Sequence, residues 1–211
     1  MLAAATLACT MALGCGGDDH RADDGLELIV SGTRITIRCW GGDCTAGIIP
    51  DDGIYVTVSR TIDGVREHRS RTVERVTDVE VEMGGGNDRF KLEDYSLAGT
   101  LRVVMGDGDD VLDLFDGSSF GGTLIDLGPG DDRASFEPRL AASWFRVDAG
   151  AGDDEVLLYG VCFPGGNVVL GGPGYDRFHV PSDFGPGGGY AEGFEAPDVV
   201  EATTGLCPDL E

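Results

Sequence analysis

The chain is 211 residues long, with 38 Asp and Glu against 15 Lys and Arg and a formal net charge of −23. So acidic a surface excludes nucleic acid as a partner and excludes electrostatic docking on anionic lipid. Glycine contributes 35 residues, and no stretch sustains a helical spacing of apolar side chains, which excludes a helical bundle.

Residues 2–13 form an apolar run that ends Ala12-Leu13-Gly14-Cys15 and gives way at once to Gly16-Gly17-Asp18-Asp19. The segment resembles a bacterial lipoprotein signal, in which a small residue precedes a cysteine that is lipidated and becomes the mature N-terminus. That resemblance implies a signal over 1–14, lipidation of Cys15, and a location in the cell envelope, either lipid-anchored at the outer membrane or cell surface or secreted. An ordinary secretory signal with an incidental cysteine is the alternative. No other run approaches the length of a membrane span, so the membrane contact expected is the lipid alone. Residues 15–25, acidic and small, read as a flexible tether.

Residues 26–78 carry strand-like alternation over 26–30, 33–39, 54–59 and 72–83, with an arginine-rich segment over 66–71 between the last two. They are expected to form a β-rich N-terminal cap and the first coils of a solenoid. With Cys9 lost in the signal and Cys15 acylated, Cys39, Cys44, Cys162 and Cys207 remain, an even number in an oxidising compartment. Four cysteines allow three pairings. The run Cys39-Trp40-Gly41-Gly42-Asp43-Cys44 reads as two strands closed by a tight loop, which favours a 39 to 44 bridge and leaves Cys162 to staple Cys207 and the tail. Zinc on four thiolates lacks a CxxC spacing.

From residue 79 to 181 one pattern recurs every 22 residues: Gly84-Gly85-Gly86-Asn87-Asp88, Gly106-Asp107-Gly108-Asp109-Asp110, Gly128-Pro129-Gly130-Asp131-Asp132, Gly150-Ala151-Gly152-Asp153-Asp154 and Gly172-Pro173-Gly174-Tyr175-Asp176. A constant period means stacked, equivalent units. The flanks alternate at the period of a strand. The inward columns predicted are Val81, Val103, Ile125, Val147, Val169, then Met83, Met105, Leu127, Ala149 before the turn. After it come Phe90, Leu112, Ala134, Val156, Phe178 and then Leu92, Leu114, Phe136, Leu158, Val180. Arg89, Arg133, Glu155, Arg177, Lys91, Asp113 and His179 are predicted to face solvent. Each unit is strand, glycine turn, strand and a looser return loop.

These five in-phase copies resemble the calcium-binding repeats of hemolysin-type (RTX) proteins, whose nonapeptide Gly-Gly-x-Gly-x-Asp-x-apolar-x builds a parallel β-roll. The first glycine of the nonapeptide is replaced here by Met83, Met105, Leu127 and Ala149 and kept only as Gly171. The other edge carries unrelated loops at 94–96, 117–119 and 162–164, so the resemblance implies one metal edge. It implies an all-β fold, a right-handed parallel β-roll or β-solenoid of about five 22-residue coils, with an irregular cap over the Gly- and Pro-rich residues 182–211 and a strand near 196–204. It also implies the ligands. Asp88, Asp110, Asp132, Asp154 and Asp176 would supply carboxylates. Main-chain carbonyls around Gly84 and Gly86, Gly106 and Gly108, Gly128 and Gly130, Gly150 and Gly152, and Gly172 and Gly174 would complete each shell. Five turns leave up to four gaps, hence up to four structural Ca2+ ions. Gly and Asp as bare turn residues are the alternative, but aspartates stacked about 5 Å apart repel unless a positive charge lies between them.

Catalysis is not expected. Gly117-Ser118-Ser119-Phe120-Gly121 matches a nucleophile elbow in letters, yet it falls in a return loop where the motif needs a following helix and a partner histidine. His20, His68 and His179 fall in the tether, a charged loop and an outward strand position. The reading is a monomeric, calcium-binding envelope protein with a structural or adhesive role, its glycan or protein ligand unassigned. Phe115, Phe120, Tyr159 and Phe163 are the candidate contacts for such a ligand. A calcium-dependent β-helix enzyme acting on acidic polysaccharide is the rival.

Overall fold

The structure, a computed structural model, describes residues 25–51, 53–94, 96–116, 121–137, 144–159, 167–181, 189–192 and 199–203. The apolar N-terminal run, Cys15, Cys162 and Cys207 therefore lie outside the described residues, as does the expected tether except for Gly25.

Every regular element among the described residues is a strand: β1 (Leu26–Ser31), β2 (Arg34–Cys39), β3 (Asp43–Asp51), β4 (Gly53–Ile62), β5 (Val65–Val73), β6 (Asp78–Met83), β7 (Arg89–Glu93), β8 (Thr100–Val104), β9 (Val111–Phe115), β10 (Gly122–Asp126), β11 (Arg133–Phe136), β12 (Phe145–Asp148), β13 (Glu155–Leu158), β14 (Asn167–Leu170), β15 (Arg177–Pro181), β16 (Gly189–Glu192) and β17 (Val199–Thr203). One sheet runs β1-β2-β6-β8-β10-β12-β14-β16 and the other β17-β15-β13-β11-β9-β7-β3-β4-β5. Each chain repeat lays one strand in each sheet. Stacking is parallel and in register, with Val81 beside Val103 and Ile125 beside Val147. The fold is a β-solenoid of stacked, roughly 22-residue coils.

The alternation read from sequence sets what is inside. Val81, Val103, Ile125, Val147 and Val169 are all fully buried, as are Phe90, Leu112, Ala134 and Phe136. Phe136 meets Phe145 of the opposite sheet edge-on, ring centroids 5.1 Å apart, a geometry that suits two aromatic quadrupoles. The core is thus a narrow file of side chains between two sheets. Asp113 departs from expectation. It faces outward on β9 but is only 7 % exposed, as is Ser135 beside it in the same column, and the Arg89 guanidinium from the adjacent rung lies against its carboxylate.

The N-terminal end is built differently. Strands β2 and β3 form a rung whose residues pair with β6 and β7 at an offset of 44, as in Arg34 with Asp78 and Thr45 with Arg89. Two antiparallel strands, β4 and β5, fill the sequence between. They join through Asp63 and Gly64, both at positive φ (51° and 77°) with Ile62 opposite Val65, the two-residue turn that matches strand twist. Here the structure corrects the sequence reading: residues 66–71, placed between strands, lie inside β5, and the run over 72–83 is interrupted between β5 and β6. The arginines do not forbid a strand at an edge. Arg69 and Arg71 sit opposite the buried Val58 and Val56, so they carry charge on the inward face of the last strand, which discourages further strands from adding to it.

Candidate metal edge

Between the two strands of every repeat the chain reverses through the glycine turn. Gly128 and Gly130 have φ of 103° and 145°, a region that side chains with a Cβ rarely adopt. A Cβ at either position would also overlap a carbonyl oxygen of the preceding turn, that of Gly106 or of Gly108. Two glycines per turn are therefore dictated by stacking. Ladder hydrogen bonds continue through the bend, from Gly86 N to Asp107 O, Gly108 N to Pro129 O, Gly130 N to Ala151 O and Gly152 N to Pro173 O. At the same position Asp107 N and Ala151 N donate to Gly84 O and Gly128 O, so Pro129 and Pro173 keep the accepting half of the ladder and forgo the donating half.

All five predicted aspartates are brought into one column, and they are buried. Asp88, Asp110, Asp132, Asp154 and Asp176 are only 1–2 % exposed. Each reaches toward the preceding turn. The main-chain N–H of Asp88 donates to Asp110 Oδ1 (2.7 Å), that of Asp110 to Asp132 Oδ1 (2.8 Å), that of Asp132 to Asp154 Oδ1 (2.8 Å) and that of Asp154 to Asp176 Oδ1 (3.0 Å). At the N-terminal end, Cys44 N donates to Asp88 Oδ1 (2.7 Å). The second oxygen is left over: Oδ2 of Asp88, Asp110, Asp132 and Asp154 is buried without a hydrogen-bond partner. Burial pushes the carboxyl of Asp88 up to about 6, and those of Asp110, Asp132 and Asp154 to about 7. Amide donation pulls the other way, and neighbouring carboxylates in the column and turns add to the rise.

A second ladder, not anticipated from sequence, runs in the opposite sense along the solvent side. Asp43 Oδ1 accepts from Asn87 N (3.0 Å), Asn87 Oδ1 from Asp109 N (3.1 Å), Asp109 Oδ1 from Asp131 N (3.0 Å), Asp131 Oδ1 from Asp153 N (2.9 Å) and Asp153 Oδ1 from Tyr175 N (2.9 Å). The signal was an Asn or Asp before the aspartate in four of the five copies. It assigns these residues a structural task, holding each turn to the next.

Among the described residues no group of three or more His, Cys, Asp or Glu side chains converges on a point. The column offers one carboxylate per turn, so a cation there would draw its other ligands from the main chain. Carbonyls are at hand. Those of Gly86, Gly108, Gly130 and Gly152 are directed at the following turn, where a Cβ would strike them, and no described main-chain N–H bonds to them. Hard oxygen donors of two kinds, a buried carboxylate oxygen and a main-chain carbonyl, each without a hydrogen-bond partner among those described, are what a calcium-like cation takes. The residues present fit such an ion.

The disulfide read from sequence is present, Cys39 to Cys44 with Cα atoms 6.2 Å apart. The other candidate features are dispersed. His68 contacts Thr57 on the β4–β5 hairpin (3.4 Å), whereas His179 lies against Tyr159 with ring centroids 5.4 Å apart. Residues 117–120 of the elbow-like sequence, and Phe120 and Phe163, fall outside the described residues. Phe115 carries the Lys91 ammonium 5.4 Å above its ring, and Tyr159 is 39 % exposed. Comparison with protein-family models, with curated proteins and with solved structures finds no match for this chain.

Proposed function

We propose that this chain is an extracytoplasmic calcium-binding solenoid, held to the envelope through lipid at Cys15, in which the cation serves the fold rather than a reaction. The observation that carries the reading is the file of buried carboxylates with one oxygen bonded to an amide and the other without a partner. Calcium, when bound, supplies positive charge and six to eight coordination positions for oxygen. The aspartates then stay ionised at neutral pH, each holding its carboxylate toward the preceding turn, while the paired glycines let the carbonyls approach. The lipobox-like Gly14-Cys15 and the even cysteine count support export. The role that follows is a rigid surface or adhesive element whose order depends on extracellular calcium.

Calorimetric titration of chelator-treated protein tests the cation. Heat of binding with a rise in strand signal by circular dichroism is expected; neither appearing at millimolar calcium leaves a bare ladder of turns. Lipidation is tested separately, by incorporation of a labelled fatty acid into wild type but not Cys15→Ser. Equal labelling of both removes the anchor.

A further inference from the structure

Both ladders run one turn further than the glycine repeats. The turn formed by Trp40, Gly41, Gly42, Asp43 and Cys44 lies 44 residues before the first copy and meets it in the same way that the copies meet each other. Cys39 pairs with Met83. Cys44 N donates to Asp88 Oδ1 across 44 residues, as Asp88 N does to Asp110 Oδ1 across 22. Asn87 N donates to Asp43 Oδ1, as Asp109 N does to Asn87 Oδ1. Gly42 underlies Gly86, its carbonyl oxygen 2.9 Å from where a Cβ on Gly86 would stand. This turn has Cys44 in the slot the other turns give to aspartate, and the bond to Cys39 closes it.

We propose that the Cys39–Cys44 turn is the first turn of the cation column, giving Asp88 a divalent-cation site that the five glycine copies alone do not contain, and that the disulfide holds this end site in shape. The inference rests on the calcium reading above. Direction is the deciding point. Every column carboxylate reaches back to the turn before it, so Asp88 needs a preceding turn, and that turn is the disulfide loop. The Oδ2 of Asp88 is buried and partnerless in a residue 2 % exposed, the same condition as Asp110 and Asp132 further along. The first turn of the column supplies the partner amide for Asp88 and need not carry a carboxylate itself, which is why cysteine is tolerated in the slot of residue 44. The covalent bond replaces what the column cannot give here. A terminal turn is held by a neighbour on one side only within the glycine edge, and a closure over a separation of five residues restricts the conformations open to it. Reduction by a dithiol would deliver two electrons and two protons, cleave the Sγ–Sγ bond to two thiols and release the reagent as its cyclic disulfide. It would leave Gly42 O and Cys44 N free to drift, weakening the end site alone.

Trp40 makes the site visible, since its Cδ1 would lie 2.9 Å from a Cβ on Gly84 and its side chain is 42 % exposed. With Trp144→Phe as background, Trp40 is the single emitter among the two tryptophans. Calcium bound per chain, measured by equilibrium dialysis, and Trp40 emission are followed in the full chain, in Asp88→Asn, in Cys39→Ser/Cys44→Ser, and in all three changes combined. Asp88→Asn keeps an oxygen for the Cys44 amide while removing the charge. The expected result is one ion fewer for Asp88→Asn, the same single ion lost or at least tenfold weaker when the disulfide is absent, no second ion lost in the combination, and a Trp40 response to calcium that disappears in all three. Dithiol added to calcium-loaded Trp144→Phe gives the same reading without relying on the serine variant to fold. If calcium binds but opening the disulfide removes no ion and Trp40 is silent, the column starts at Asp88 and this inference is overturned while the calcium reading stands. If no form binds calcium, both fall.

Discussion

The main-chain N–H of Asp110 donates to Oδ1 of Asp132 at 2.8 Å, and Asp132 Oδ2 is buried with no hydrogen-bond partner. One oxygen of the carboxylate therefore ties two coils together, and the other is available to a cation or a proton. The two jobs can be separated by mutation. Asp132→Asn retains an acceptor for the Asp110 amide and removes the charge, so it is expected to leave the calcium-free protein as stable as wild type or more so, while lowering the calcium-induced gain. Asp132→Ala deletes the acceptor and strands a buried amide, at a cost of about 1–3 kcal/mol with or without calcium. Denaturant titrations of both variants, in calcium and in chelator, check this. Equal behaviour of Asn and Ala variants would mean that the ladder bond contributes nothing.

Acidity should stabilise the calcium-free protein. The folded-state values of about 6 for Asp88 and about 7 for Asp110, Asp132 and Asp154 lie above the unfolded value near 3.9. Raised carboxyl values mean that the folded state holds protons the unfolded state has released. Their contribution is complete below pH about 4 and is lost as pH rises through 6 to 7. The thermal midpoint in chelator is thus expected to fall from pH 5 to pH 8, and calcium at pH 8 to restore it. A midpoint in chelator that is flat or rises over that interval contradicts the buried column.

Glycine replacements should divide by stacking and not by φ alone. Gly64 and Gly128 both have positive φ, 77° and 103°, but a Cβ on Gly64 meets nothing within 4 Å, whereas one on Gly128 overlaps Gly106 O. Gly64→Ala is expected to cost about 1–2 kcal/mol from the left-handed backbone. Gly128→Ala adds a main-chain overlap inside the stack and should exceed about 3 kcal/mol. Chemical denaturation of the two side by side gives the difference, and similar costs would remove the close approach from the explanation.

Relief of inward charge at the open edge should promote association. Arg69 and Arg71 lie opposite the fully buried Val58 and Val56 on the exposed edge strand β5. Arg71→Val combined with Arg69→Val removes both inward arginines and leaves positions 69, 71 and 73 apolar on one face, a strand edge able to accept a partner. Light scattering and size exclusion are expected to show concentration-dependent assemblies for the variant and none for wild type at equal concentration. Identical profiles would show that some other feature protects the edge.

The sequence alone determined the repeat length, the inward columns and the aspartates that share an edge, because a strand's period of two and a strict period of 22 leave no freedom in which side chains stack on which. Val81 above Val103 and Asp110 above Asp132 are consequences of counting. Strand identity at β5 was not legible from composition, since the inward charges of Arg69 and Arg71 are accommodated where a strand has a single paired neighbour, a fact about its place in the sheet. Nor was the burial of Asp113, whose charge is met by Arg89 one rung away. Tertiary structure alone decided that the carboxylates reach backward, that one oxygen of each is consumed by an amide, and that the hairpin β4–β5 occupies one repeat length so that the Cys39–Cys44 turn stands in register with Asp88. The reason is physical: a carboxylate's worth is set by which donors and charges surround it, and in a solenoid those neighbours come from the coils before and after rather than from the residues beside it in the chain.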